Sequence, residues 1–258
     1  MSVLLYSIMT RRRFYAPPGA FNANRKNVTL ANDEARHLRE VLRLKSGDEV
    51  YVFDGEGREF HCLIEETRRD TAHLKVISEI DPVRPESPLN LVLAVALLKG
   101  EKFDLVVQKA TELGVNEIVP LITKLADVRL RDAVDTAKRV TRWQRIAMEA
   151  SKQCGRSVVP TIATPISFAP FIRQEEPGTR VRLMFSEREG TTLAEAMPAS
   201  FTAVTALIGS EGGWIDEELE LARDAGWQLV TLGGRTMRAE TAAIASATLL
   251  QHIAGDLR

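Results

Sequence analysis

The sequence predicts an α/β protein in two parts: a small β-barrel first, then a larger domain of alternating strands and helices. Three observations carry that prediction. Residues 1–81 hold short β-forming runs separated by turn residues. Asp81-Pro82-Val83-Arg84-Pro85-Glu86-Ser87-Pro88 then places three prolines in eight residues, as a linker does. Beyond it, continuous apolar runs alternate with amphipathic ones, the pattern of a mostly parallel sheet covered by helices. The boundaries that follow are 1–81 for the barrel, 82–88 for the linker and 89–258 for the α/β domain.

The elements follow in order. Asn32 or Asp33 can cap a helix whose apolar face is Ala35, Leu38, Val41 and Leu42, and Ser46-Gly47-Asp48 ends it. Strands are expected over 49–53, 58–66 and 71–80, parted by Asp54-Gly55-Glu56-Gly57 and Arg68-Arg69-Asp70. After the linker, 89–98 reads as a buried strand, apolar apart from Asn90, and 101–113 is a helix stopped by Gly114. A strand over 115–122 and a long helix over 137–154, closed by Gly155, come next. Residues 179–185, 203–208 and 228–232 are three further buried strands, with helices near 192–196, 216–225 and 238–253.

The chain is 45% hydrophobic and 27% charged, which excludes a disordered or collagen-like polymer. Its net charge of −1 says nothing about a polyanionic partner, but the charge is unevenly placed. Residues 1–45 carry nine Lys and Arg against three acids, and residues 124–156 carry nine against four. Arg11, Arg12, Arg13, Arg25, Arg36, Arg39, Arg43 and Arg156 are therefore candidate phosphate or RNA contacts, with solvated helix faces as the alternative. Two cysteines, Cys62 and Cys154, exclude a disulfide scaffold and suit a reducing cytosol. The longest apolar run, 91–98, is far short of the ~20 residues of a membrane span. The cluster Arg11-Arg12-Arg13 follows the mildly apolar first residues instead of preceding them, so no secretory signal is expected. Met9 is the expected effective start.

Several chemistries drop out. The sequence has no G-x-x-x-x-G-K-[ST] loop, no G-x-G-x-x-G between an early strand and helix, and no G-x-S-x-G elbow. Its four histidines show no metal-ligand spacing with the cysteines, so no metal is expected.

Two C-terminal segments call for a ligand. Leu207-Ile208-Gly209-Ser210-Glu211-Gly212-Gly213-Trp214 follows a buried strand, and its glycines allow backbone to approach a bound molecule. Leu232-Gly233-Gly234-Arg235-Thr236-Met237-Arg238-Ala239-Glu240-Thr241-Ala242 ends another strand and opens an Ala-rich helix. Two arginines at a helix N-terminus oppose the helix dipole, which calls for an anionic partner. A surface Arg pair bridged to Glu240 is the alternative.

With these two segments the chain resembles the RsmE family of the SPOUT superfamily, ribosomal RNA small-subunit methyltransferases that methylate N3 of a uridine in 16S rRNA. The family pattern I-G-P-E-G-G-[FW] is similar to residues 208–214, and L-G-x-R-x-L-R-x-E-T-A to residues 232–242. Arg12-Arg13-Phe14, His37-Leu38-x-x-Val41-Leu42-Arg43, Lys109-Ala110-Thr111-Glu112-Leu113-Gly114 and Glu149-Ala150-x-x-Gln153-Cys154-x-Arg156 extend the resemblance along nearly the whole chain. Ser210 departs from the usual Pro, Met237 from Leu, and Ile215 from a capping Ser, for which Asp216 can substitute.

The resemblance implies a PUA-like barrel that holds RNA, a SPOUT domain with a trefoil knot, S-adenosylmethionine as cofactor, the small ribosomal subunit as partner, a homodimer and a cytoplasmic setting. It also implies a cofactor site from Phe185, Ile208, Gly209, Glu211, Gly213, Leu232, Gly233, Met237, Arg238, Thr241 and Ala242. Arg238 and Arg235 are the candidates to stabilise a uridinate or hold an adjacent phosphate, and Glu211, with Glu240 as runner-up, to help deprotonate or orient the base. For a carboxylate to serve as that base, burial would have to raise its pKa. Another SPOUT RNA methyltransferase, or a non-catalytic RNA-binding or ribosome-assembly protein, is the alternative.

Overall fold

The computed structural model describes residues 11–174 and 179–257. The expectation about Met9 falls outside them. Contacts divide the chain into two units, one running to Glu86 and including Ser151–Val159, the other formed by Ser87–Ala150 and the residues from Pro160 onward. The return of 151–159 to the first unit is not foreshadowed by composition.

The first unit is built on β1 (Arg13–Tyr15), β2 (Asn27–Ala31), β3 (Glu49–Phe53), β4 (Glu59–Thr67) and β5 (Thr71–Ile80). They pair in the order β1-β3-β4-β5-β2, with β1 parallel to β3 and the other pairs antiparallel. Strand alternation sends Val28 and Leu30, Val50 and Val52, Phe60, Cys62 and Ile64, and Ala72 and Leu74 into one core with Phe14. Burial pushes the Cys62 thiol up to about 12, so it packs as a small apolar group.

Helix α1 (Asn32–Arg36) turns into a π-helical turn over His37–Val41, where Leu42 N–H donates to His37 O. Its N-cap is Ala31, so neither Asn32 nor Asp33 caps it. The wider turn shifts the helical phase, which corrects the predicted face. Ala35 and Leu38 are buried and Leu44 joins them, but Val41 and Leu42 face outward.

Arg13 and Arg156 also depart from their expected role as phosphate contacts, because both are buried. Arg13 forks onto Glu59, with Nε–Oε1 at 3.2 Å and Nη2–Oε2 at 3.0 Å. The remaining guanidinium donors reach the carbonyls of Ser151, Lys152 and Arg156 and the hydroxyl of Ser157. Two of those carbonyls belong to a helix's last turn, where Ser151 O also takes the Gly155 N–H at 3.1 Å. Glu59, fully buried, also accepts from Ser157 Oγ at 3.0 Å. Arg156 is held by Glu86, with Nη2–Oε2 at 2.6 Å.

The second unit contains β6 (Asn90–Ala96), α2 (Lys102–Glu112), β7 (Glu117–Ile122), α3 (Ala133–Cys154, its last turn in the first unit), β8 (Thr161–Ile162), β9 (Ile166–Ser167) and α4 (Phe168–Ile172). It continues through β10 (Val181–Phe185), β11 (Thr191–Thr192), α5 (Leu193–Ala196), β12 (Ala203–Ile208), α6 (Asp216–Asp224), β13 (Gln228–Thr231) and α7 (Ala239–Ala254). Among the described residues the strands pair in parallel in the order β11-β13-β10-β12-β6-β7-β8, with β9 also on β7. Pro120 stands inside β7 without breaking it. The outer partners β8 and β9 meet β7 at 117–118 and 121–122, which leaves its missing N–H unneeded between them.

Alternate residues of the central strands face opposite layers. Val92, Ala94, Met184 and Leu207 pack with Phe168, Phe171, Leu219 and Ala222 of α4 and α6. Leu91, Leu93 and Val95 are fully buried on the other side, and α7 packs against β6 and β12. Helix α6 begins with Ile215 as N-cap, whose N–H is taken by Glu218 at 3.2 Å. Asp216 is therefore not the cap, because the reciprocal half of the capping box supplies the acceptor.

Replacing Arg13 by Ala leaves Glu59 buried without its partner and uncovers the helix-end carbonyls. Breaking a buried ion pair from one side costs about 3–5 kcal/mol. Chemical denaturation should show the Arg13→Ala transition shifted by that amount, with Arg13→Lys intermediate. A loss under 1 kcal/mol would show that Arg13 does not hold the unit together.

Candidate active site

Strands β13, β10 and β12 are adjacent and run the same way, with Phe185 opposite both Ile208 and Val230. Their C-terminal ends therefore lie at one level, and three loops leave the sheet at one edge. Ligands collect at that edge in open α/β sheets. Here the loops after Phe185, Ile208 and Thr231, with the first turn of α7, enclose a cavity of about 460 Å³. That volume lies in the range of small-molecule cofactor pockets.

The loop after β12 is stiff. Gly213 N–H donates to Ser210 O at 2.9 Å, and Gly213 is in the left-handed region at φ +71°. The φ requires glycine there, and a Cβ at 213 would displace the Glu187 carboxylate, which lies against it. Ser210, where the family pattern has Pro, is buried, and its Oγ takes the Gly212 N–H at 3.4 Å. Trp214 is buried and donates from Nε1 to Phe185 O at 2.8 Å, tying this loop to the end of β10. Arg188 adds a second tie, to Trp214 O at 2.8 Å and Asp216 Oδ1 at 2.9 Å.

Most of the residues singled out from sequence meet here. Phe185, Ile208, Gly209, Glu211, Gly213, Leu232, Gly233, Arg235, Met237, Arg238 and Ala242 all line the cavity. Two do not. Thr241 is exposed outside the lining, and Glu240 is turned into the fold at 8% exposure, with Oε2 unpartnered among the described residues. The helix register explains both: Ala239 and Ala242 take the inward face of the first turn. Glu240 is thus corrected from a candidate that orients the base to a buried residue of α7.

Arg235 and Arg238 are exposed, and among the described residues neither forms an ion pair or side-chain hydrogen bond. The bridge to Glu240 is absent, and both guanidinium groups stay free for an anion. Glu211 differs. Burial pushes its carboxyl up, but the hydrogen bond and charge of Lys102, at 2.8 Å, and backbone N–H groups outweigh it. The net effect holds Glu211 below the usual carboxylate range. Lys102 thus works against the rise that burial alone would give, and Glu211 Oε1 accepts its hydrogen bond.

Sequence reasoning missed Lys102, which sits on α2 far from either glycine-rich segment. The resemblance pointed to the loop after Phe185 without singling out Ser186 and Glu187, which line the cavity. Among the RNA candidates, Arg25, Arg36 and Arg39 lie in pairs with Asp54, Asp33 and Glu40, and Arg11 lies over the Tyr51 ring and 3.7 Å from Glu59. Arg12 and Arg43 are exposed and free of ion pairs among the described residues.

The cavity suits a nucleoside-bearing cofactor with a charged tail. Leu232, Met237 and Ile208 supply apolar walls, and consecutive left-handed Gly233 and Gly234 present bare backbone. The α7 N-terminus adds N–H groups that have no helical partner.

The comparisons agree with this geometry. The RNA methyltransferase domain family matches residues 85–251, and the RNA methyltransferase PUA domain matches residues 30–77. The ribosomal RNA small subunit methyltransferase E of Synechocystis is 33% identical over 91% of this chain and 75% of that protein. A crystal structure of the Neisseria gonorrhoeae protein of the same name, bound to S-adenosyl methionine, has 32% identity and a TM-score of 0.86, covering 96% of this chain and 100% of that one. A Legionella pneumophila protein solved with SAM bound has 33% identity and the same TM-score, over 96% and 99%.

Lys102→Met removes the partner that keeps Glu211 ionised. The Glu211 carboxyl should then titrate at higher pH, followed by carbon-detected NMR of labelled glutamate. A folded pKa that is depressed stabilises the fold above the ordinary carboxylate pKa and loses that stabilisation as pH falls through the lowered midpoint. The Tm difference between Lys102→Met and wild type should accordingly be largest near neutrality and shrink in acid. An unmoved titration would remove Lys102 from the site.

Proposed function

The chain belongs to the RNA methyltransferase family whose relatives are named ribosomal RNA small subunit methyltransferase E, and on that footing we propose that it methylates N3 of a uridine in 16S rRNA. It is a methyltransferase that depends on S-adenosylmethionine. The observation that carries the finer reading is the pair of unpaired arginines, Arg235 and Arg238, on a glycine-walled cavity at the sheet edge.

The cofactor, when bound, supplies a methyl group activated on a sulfonium. The chain's own residues do the rest. Backbone groups at Gly209, Gly213 and Gly233 grip and orient, with Ile208, Leu232 and Met237 as apolar walls. Uracil N3 must lose its proton before it can attack, and negative charge then spreads over the ring. Arg238, with Arg235, stabilises that charge as it develops. Glu211, kept ionised by Lys102, accepts a hydrogen bond and orients the base; a carboxylate of depressed pKa is too weak a base to take the proton fully. Alignment of N3 with the methyl then supplies much of the rate.

The PUA-like unit holds the surrounding RNA through Arg12, Arg43 and the partly paired arginines near them. Leu105 on α2 and Leu249 and Ile253 on α7 are exposed apolar side chains that a second copy would cover, consistent with a homodimer. Among the described residues no helix is long and apolar enough to cross a membrane, and an rRNA substrate implies a cytoplasmic setting.

Mass spectrometry of 16S rRNA from a deletion strain should show the loss of one 3-methyluridine; an unchanged methyluridine pattern would refute the reading. Arg238→Ala should lower single-turnover transfer to small-subunit particles by roughly 10²–10³. Cofactor binding by calorimetry should stay within a few-fold, because the backbone of the loop is retained. Parallel collapse of both would make Arg238 structural. Reversing Arg12 and Arg43 to Glu should flatten the salt dependence of rRNA affinity, by a slope of about 0.7–0.9 per lost phosphate contact. An unchanged slope would return both to a merely solvated face.

A further inference from the structure

Three consecutive charged residues, Glu187, Arg188 and Glu189, leave β10 at the cavity rim. Two of them are committed elsewhere: Arg188 binds Trp214 O and Asp216, and Glu189 pairs with Arg223 at 2.7 Å. Glu187 alone lines the cavity, where its carboxylate rests against the bare Cα of Gly213. It has no hydrogen-bond or ion-pair partner among the described residues. The other carboxylate of the cavity, Glu211, is compensated by Lys102. Glu187 is thus the one carboxylate of the cavity without a cationic partner among the described residues, and it stands beside Gly213, while the two unpaired cations, Arg235 and Arg238, stand on the loop after β13.

We propose that Glu187 reads the positive charge of the methyl donor, so that the cavity holds S-adenosylmethionine in preference to its neutral thioether product. This rests on the methyl-transfer reading above. Donor and product share the nucleoside and the amino-acid tail and differ in the sulfonium. Glu187 is exposed at the rim, and a carboxylate there attracts a cation more than a neutral sulfur at the same place. Transfer forms the N3–CH₃ bond and breaks the S–CH₃ bond, whose electron pair stays on sulfur; the N3 proton leaves to solvent. The sulfonium charge disappears in that step, and with it the attraction to Glu187. Product release is therefore coupled to the chemistry by one side chain.

The test is calorimetry on the full chain, wild type against Glu187→Gln, with S-adenosylmethionine, S-adenosylhomocysteine and sinefungin, which bears an ammonium in place of the sulfonium. In Glu187→Gln the two cationic ligands should each weaken about ten-fold, equivalent to about 1.4 kcal/mol, while S-adenosylhomocysteine stays within two-fold. Glu187→Asp, which keeps the charge, should keep the preference. If all three ligands weaken together, Glu187 touches a part they share and the proposal is wrong; equal binding of all three to both proteins overturns it as well. A wild-type chain that binds none of the three would refute the methyltransferase reading itself, a distinct result.

Discussion

Everything at the candidate site depends on the parallel pairing of β13, β10 and β12. Adjacent strands that run one way and end in register must release their loops at one edge. Phe185 facing both Ile208 and Val230 fixes that level. The register is well determined because the strands are buried on both faces: Leu183, Met184, Val204, Ala206 and Leu207 are all fully buried. A slip of one residue would exchange the two faces of a strand against different helices. The site is thus as firm as the core behind it.

The loops themselves have almost no regular structure, and a cavity walled by backbone needs that backbone held still. Here the ties come from side chains that point away from the cavity. The Trp214 indole holds Phe185 O, and Arg188 holds Trp214 O. Glu218, buried, takes the N–H of Ile215 with one oxygen and of Lys124 at 3.0 Å with the other. Each tie removes loop freedom before a ligand arrives, which lowers the entropy that binding must overcome.

The sequence made some of this legible and hid the rest for physical reasons. Strands such as β6 and β12 are continuous apolar runs, and only a doubly covered parallel strand needs that. The two glycine-rich loops announced themselves because close backbone approach selects a residue type. Strands β1 and β2 did not: Arg13–Tyr15 and Asn27–Ala31 are short and partly polar, and their pairing decides their form. The π turn at His37–Val41 was invisible because its one extra residue per turn leaves composition unchanged while turning Val41 outward. Lys102 and Glu187 were not singled out because their importance lies in what stands beside them, Glu211 and Gly213, and not in their own neighbours along the chain.

Charge shows the same limit most sharply, since one residue type does three jobs here. Arg13 is buried and spends its donors on Glu59 and helix-end carbonyls; Arg188 is a tie between loops; Arg235 and Arg238 are free. Counting basic residues cannot separate these states, because each is set by the partner. The distinction matters for the chemistry. Loss of the N3 proton creates negative charge on the base, and methyl transfer then removes that charge together with the positive charge of the donor. A site that serves both changes must keep a cation and an anion available at different places. If Glu187 were paired with Arg238, each would be compensated already, and the pair would have to be broken before either could act. Glu211 is the cavity carboxylate that does have a cationic partner, and that partner, Lys102, comes from α2 and not from the loop of Arg235 and Arg238. Pairing Glu211 from α2 leaves the two arginines that line the cavity without a carboxylate partner among the described residues.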